Sequence, residues 1–254
     1  MFGPVAIDLY VVHGSHPCAA VERALELKGL DFRRVELPPP LHAPIQRVRF
    51  GRRTVPAIRL ESGEKVSGSR PILQRLEEIA PEPALWPGDE EQRALVERAE
   101  EWGDEVYQPL ARRLLWGAMR RRPDAIVSYS DGSTIPLPKP AIRAGARAII
   151  RAEIALNKAS DGAVRADLRN LPRHLDRIDR WFAQGVIGGE RPNAADLQIA
   201  TTSRLLMTIG DVAPFFAGRP AEMHARELFG EQAGSVPRGA LPPDWIAGSP
   251  APTP

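Results

Sequence analysis

The chain has 254 residues, of which 43% are hydrophobic and 26% charged, the proportions of an ordinary folded protein; wholesale disorder, collagen-like repeats and a coiled coil are excluded. Its 34 basic and 32 acidic residues leave a formal net charge of +2, too small for the one-signed field of a nucleic-acid binder. A single cysteine, Cys18, makes no intrachain disulfide, and no apolar run reaches the roughly 18 residues of a membrane span, so neither an oxidising compartment nor a membrane is expected. The N-terminal stretch carries no positive charge before Arg23 and is interrupted by Asp8, unlike a secretory signal, and the expected location is cytoplasmic.

Residues 5–12 are β-branched and mostly apolar, which predicts a buried strand. Pro17 suits the first turn of a helix whose face is Val21, Ala24, Leu25 and Lys28, and Gly29 stops it. A strand is predicted from Phe32 to Leu37, then a break at Pro38 to Pro40 and a short helix around Ile45 to Val48. Val55 to Leu60 and Lys65 to Ser67, joined by Glu61-Ser62-Gly63-Glu64, read as a hairpin. Ser69 is placed to cap a helix with Ile72, Leu73, Leu76 and Ile79 on its apolar face. The predicted order is therefore βαβ followed by ββα.

Residues 80–91 have linker composition, and the chain beyond them reads as helix. Apolar residues recur at helical spacing from Leu95 to Leu114, from Ile142 to Ile150 and from Val164 to Phe182. A fourth helix starts at Asn193-Ala194-Ala195-Asp196, a variant of the capping box. Residues 123–140, with four prolines, are expected as a long loop. The predicted divisions are a first domain at 1–82, a linker at 83–91, an all-helical domain at 92–230 and a disordered Pro-rich tail at 231–254.

Chemistry concentrates at three places. Ser15-His16-Pro17-Cys18 lies where a strand passes into a helix, so free amides and the positive end of the helix dipole favour an anion or a thiolate. Val55-Pro56 opens a strand with a proline, a position suited to a cis peptide that shapes a pocket. Ser67-Gly68-Ser69 opens another helix and a second anion site. His13, His16, His42, His174 and His224 lack metal-ligand spacing, so no metal is expected. Tyr10 and the stripe of Trp102, Tyr107 and Trp116 read as core.

Together these residues resemble the glutathione S-transferase family, a thioredoxin-like α/β domain followed by an all-α helical bundle. Ser15, Val21 and Leu25 are similar to its first motif, Val55-Pro56 to its Val-cis-Pro element, Ser69 with Ile72 to its Glu/Gln-Ser-x-x-Ile signature, and residues 189–196 to its helix cap in the second domain. The resemblance implies a catalytic Ser15 and a site for glutathione or another low-molecular-weight thiol formed by Ser15, Val55, Pro56 and Ser69. It further implies a hydrophobic electrophile as second substrate, a homodimer and a detoxification role. Gly68 departs from the family pattern, because it stands where an acidic or amide residue binds the γ-glutamyl amine; weak glutathione binding is expected, with Arg70 available for a carboxylate or phosphate. Segment 123–140 and the tail are candidates to cover the pocket. Two other readings are a non-catalytic binding or structural protein of the same fold and a thiol-dependent reductase working through Cys18.

Overall fold

A computed structural model describes residues 7–247. Residues 5 and 6 of the expected first strand and residues 248–254 of the expected tail lie outside it.

Strand β1 (Ile7–Val11), helix α1 (His16–Leu27) and strand β2 (Phe32–Glu36) form the predicted βαβ unit, and β3 (Ala57–Arg59), β4 (Lys65–Ser67) and α3 (Ser69–Ile79) form the ββα unit. The sheet order is β2-β1-β3-β4, with β1 and β2 parallel and the other pairs antiparallel. Alternation along β1 sorts its side chains between two cores. Ile7, Leu9 and Val11 are buried with Val21, Ala24 and Leu25 of α1 and Ile72, Leu73 and Leu76 of α3, whereas Tyr10 belongs to a smaller cluster with Leu37 and Ala57. Each fully buried Leu or Ile contributes about 1.5–3 kcal/mol, which makes the α1/α3 face the main anchor of the sheet.

Helix α2 (Pro39–Phe50) corrects the expected break at Pro38 to Pro40. Pro39 lies in the first turn, where a missing N–H loses nothing, and the Pro38 carbonyl accepts from Leu41 and His42 at 2.9 Å.

In the helical region, α4 (Glu90–Trp102) and α5 (Gln108–Arg121) are joined by a π-helical turn at Gly103–Tyr107. The spacing of Leu95 to Leu114 did not reveal that turn. It falls where a Cβ on Gly103 would approach the Gln198 Cβ to 3.0 Å, so the absent side chain is what lets α8 (Ala194–Met207) come against α4. A 3-10 helix at Pro123–Ser130 occupies the first half of the expected loop, ahead of α6 (Lys139–Asn157). Helix α7 (Asp161–Ala183) follows, and α8 begins at the expected box: Asn193 Oδ1 accepts from Ala195 and Asp196 amides, and Asp196 Oδ2 accepts from the Asn193 amide at 2.9 Å.

The chain between the sheet unit and α4 is held down rather than loose. The buried Lys28 ammonium donates to Glu77 Oε2 at 2.7 Å, the Ala80 carbonyl at 2.6 Å and the Pro83 carbonyl at 3.0 Å, and Leu85 and Trp86 are buried. The expected disorder of the tail is corrected over residues 231–247. After α9 (Pro220–Phe229), Val236 pairs with Ile209, the Asp211 carboxylate accepts from the amides of Gly239, Ala240 and Leu241, and a short α10 (Pro243–Ala247) follows. Buried Val236, Ala240 and Leu241 supply the apolar anchor that proline content alone concealed. One continuous core runs from β1 through α1 into the helices.

Candidate active site

Register places the expected site residues at one end of the sheet. Ala57 pairs with both Tyr10 and Ser67, so the end of β1, the start of β3 and the end of β4 coincide, bringing Ser15, Val55-Pro56 and Ser69 to one edge. The Val55-Pro56 peptide is cis, and the Pro56 carbonyl accepts from the Gly68 amide at 2.9 Å. Val55 is half-buried.

Gly14, with φ of 75°, turns the chain from β1 into α1. Ser15 is the N-cap of α1, yet its side chain makes no capping hydrogen bond. The residue is half-buried. Burial pushes the Cys18 thiol up to about 12, against opposing hydrogen bonds from the Ser15 side chain and Val12 backbone. A thiol in that state is a small buried hydrophobe and a poor nucleophile near neutral pH.

Ser69 is differently placed. The cap of α3 is Gly68, not Ser69, and the Ser69 side chain is 3% exposed. Its Oγ donates to Asp104 Oδ1 at 3.2 Å and accepts from Gln108 Nε2 at 3.3 Å and Gln198 Nε2 at 3.2 Å. Gln108 also donates to Gln198 Oε1 at 2.6 Å, and Gln198 donates to Glu100 at 3.2 Å. Arg70 pairs with Glu100 at 2.7 Å and Glu101 at 3.1 Å, so its charge is spent on α4 and not offered to a ligand. Burial raises the Glu100 carboxyl to about 7, offset in part by Arg70 and the Gln198 hydrogen bond. Gly68 has φ of 97°, a conformation L residues rarely adopt, so replacing it with Glu to supply the family's missing carboxylate would strain the turn.

Two later segments lie over the β1–α1 loop. His13 Nε2 hydrogen-bonds the Asp131 carbonyl at 2.8 Å, and Gln232 Nε2 donates to the Gly14 carbonyl at 3.0 Å. Glu36 accepts from Ser133 Oγ, from the Thr134 amide at 3.1 Å and from Thr134 Oγ1 at 2.7 Å. Although burial raises this carboxyl, hydrogen bonds from Ser133, Arg34 and Thr134 hold it down to about 2. The segments also bind each other, since the Ser235 amide donates to Ser128 Oγ at 3.0 Å. Both therefore reach the loop that carries Ser15.

Tyr10 is buried beneath α2, and Trp102 stacks on Tyr107 at 5.0 Å, with the Tyr107 hydroxyl sharing a 3.1 Å hydrogen bond with Ser203; these side chains are core. Among the described residues no His, Cys, Asp or Glu side chains gather as metal ligands, and no helix is long and apolar enough to cross a membrane. A cleft of about 590 Å³ at the opposite end of the sheet, lined by Asp8, Arg33 and Arg59 among others, contains none of the expected site residues. Sequence patterns did not single out Arg112 or Arg204, which stand far from Ser15 in the chain. His16 is buried with no partner for Nε2, and burial together with the fields of Arg112 and Arg204 holds its imidazole well below the usual range.

A four-stranded mixed sheet flanked by α1 and α3, with a cis-proline at the site edge and a helical region behind it, defines a thioredoxin-like unit joined to an all-helical one. Residues 9–84 match the family described as glutathione S-transferase, N-terminal domain, and this part of the chain belongs to that family. Solved structures share the fold of the described residues. The chain is similar to a glutathione S-transferase from Rhodospirillum rubrum, at 20% identity with a TM-score of 0.59 over 95% of this chain and 99% of that one. A glutathione transferase from Populus trichocarpa is 16% identical, with a TM-score of 0.61 over 95% of this chain and 98% of that one. A maleylacetoacetate isomerase from Anaeromyxobacter dehalogenans, with glutathione in its active site, is 19% identical, with a TM-score of 0.55 over 100% of this chain and 99% of that one. No curated protein sequence matches significantly.

Proposed function

We propose that the protein is a transferase that joins a low-molecular-weight thiol, glutathione or a relative, to an electrophilic carbon. The observation that carries this reading is Ser15: its hydroxyl stands at the α1 N-terminus without making a capping hydrogen bond, at the same end of the sheet as the cis Val55-Pro56 peptide. A hydroxyl donor and a helix N-terminus each favour a bound thiolate over the thiol, lowering its pKa. The backbone of Val55 would align the thiol, and the backbone amides at the α3 N-terminus, not the engaged Ser69 hydroxyl, would receive its carboxylate. The protonated, buried state of Cys18 favours this reading over a reductase. The engagement of Ser69 by Asp104, Gln108 and Gln198 is the observation that favours the non-catalytic alternative. A homodimer in the cytoplasm accompanies the transferase reading; light scattering that gives one subunit's mass would remove the dimer.

The test is a titration with glutathione, other cellular thiols and a buffer blank, followed by tryptophan fluorescence, then turnover with 1-chloro-2,4-dinitrobenzene. Saturable binding with turnover is expected. Binding without turnover would favour the binding protein, and no response to any thiol would overturn both.

A further inference from the structure

The half-buried arginines of this protein generally find carboxylates. Arg113 holds Asp167 through two hydrogen bonds at 2.6 and 2.9 Å, and Arg219 pairs with Asp176 at 3.0 Å and Asp179 at 2.6 Å. Two partly buried arginines differ. Arg112 on α5 makes one side-chain hydrogen bond, to Gln108 Oε1 at 3.3 Å. Arg204 on α8 donates to the Phe229 carbonyl at 2.7 Å and lies 5.3 Å over the Phe229 ring, while its Nε has no partner. Asp104 and Glu153 act on Arg112 from a distance and Glu22 acts on Arg204, but none forms an ion pair with them. Burial raises the Glu153 carboxyl, against the opposing fields of His42 and Arg112.

Helix α8, which carries Arg204, packs against both α1 and α5, and both arginines act on His16, the residue next to Ser15, which is 3% exposed with an unpartnered Nε2. Two desolvated guanidinium groups without a counter-ion are an expensive arrangement, and an orphaned buried ring nitrogen adds to it. An incoming anion would relieve all three. The cations stand on α5 and α8, whereas the proposed thiol site is on the sheet unit, so the anion belongs to the second substrate.

We propose that Arg112, Arg204 and His16 form a carboxylate site beside Ser15, and that the electrophile is an organic anion with an apolar body. This rests on the transferase reading and names its substrate class. Guanidinium groups suit a carboxylate because their N–H donors match its two oxygens. With a chloronitroaromatic acid, the thiolate sulfur bonds to the carbon bearing chlorine, the carbon–chlorine bond breaks, chloride leaves with the electron pair and the thiol proton goes to solvent.

The experiment uses 4-chloro-3-nitrobenzoate and the neutral 4-chloro-3-nitrobenzamide in two assays: calorimetric binding without thiol, and turnover with glutathione corrected for the uncatalysed rate. The benzoate should bind at least about 10-fold more tightly than the amide, the scale of one charge-assisted hydrogen bond. Arg112→Gln and Arg204→Gln should each reduce the benzoate-to-amide ratio by about 10-fold, whereas Arg113→Gln, which removes the same charge, should not change it. Thermal melting reports folding, and loss of either variant to misfolding leaves the other as the test. Benzoate binding that is lost in the variants, with turnover of neither compound, would keep the anion site and overturn the transferase reading. Turnover of both compounds at a ratio insensitive to Arg112 and Arg204 would keep the transferase and overturn the anion site. Weakened glutathione binding with an unchanged ratio would assign the cations to the thiol and also overturn it.

Discussion

Ser15 and Ser69 occupy equivalent places, each at the N-terminus of a helix leaving the same edge of the sheet, and the fold treats them in opposite ways. Ser15 is half-buried and its hydroxyl makes no capping hydrogen bond. The Ser69 hydroxyl is enclosed and shared among Asp104, Gln108 and Gln198. A serine at a helix start is thus either a group available to a ligand or a joint between packed helices. Which it becomes depends on what packs against that helix end, here the π turn after α4 and the first turn of α8.

The largest expected effect separates the two at the level of chemistry. Ser15→Ala should lower turnover by roughly 10- to 1000-fold, the loss expected for one donor to a developing anion. Because the hydroxyl makes no cap bond, the melting temperature should barely move. Unchanged kcat/KM in this variant would put the activation of the thiol elsewhere.

A second expected effect concerns the enclosed joint. Glu100 has a native pKa of about 7 against an ordinary value of 4.5. Its raised value means that it favours the folded state fully below pH 4.5 and that this contribution is lost as pH rises through 7. The loss is on the order of 3 kcal/mol at most, from about 1.4 kcal/mol per pKa unit. Urea unfolding at several pH values should show it, and Glu100→Gln should flatten the profile; an equally steep profile in the variant would assign the dependence to another group.

Ser69→Ala should cost about 1–3 kcal/mol, because it leaves the half-buried Asp104 and the buried Gln108 and Gln198 short of a partner. Equilibrium unfolding measures this, and a thiol KM measured in parallel sharpens the contrast with Ser15. A large rise in KM with unchanged stability would mean that Ser69 serves the ligand more than the joint.

The smallest effect is an absence of reaction. With burial pushing its thiol up to about 12, Cys18 is held almost wholly as the thiol at pH 8. Iodoacetamide should therefore label it slowly in the native protein and readily in urea. Rapid native labelling would return Cys18 to consideration as the working residue.

The sequence by itself determined the features that act over a few residues. The βαβ and ββα order follows from period-2 and helical patterns, the α8 capping box from Asn193 and Asp196, and the position of Ser15 from the strand-to-helix junction before Pro17. These signals are local, so the residues that carry them are neighbours in the chain. Tertiary structure decided the rest. Ser69 reaches Asp104 and Gln198 across sequence separations of 35 and 129 residues, and Gln232 reaches Gly14 across 218. No local pattern encodes which distant side chain arrives at a helix end. Proline content suggested a free tail because it reports backbone preference, whereas Val236 and Leu241 dock through apolar surface that exists only once the helices have assembled. Arg112 and Arg113 are adjacent and identical in type, and only the packing of α7 gave one of them a carboxylate and left the other without.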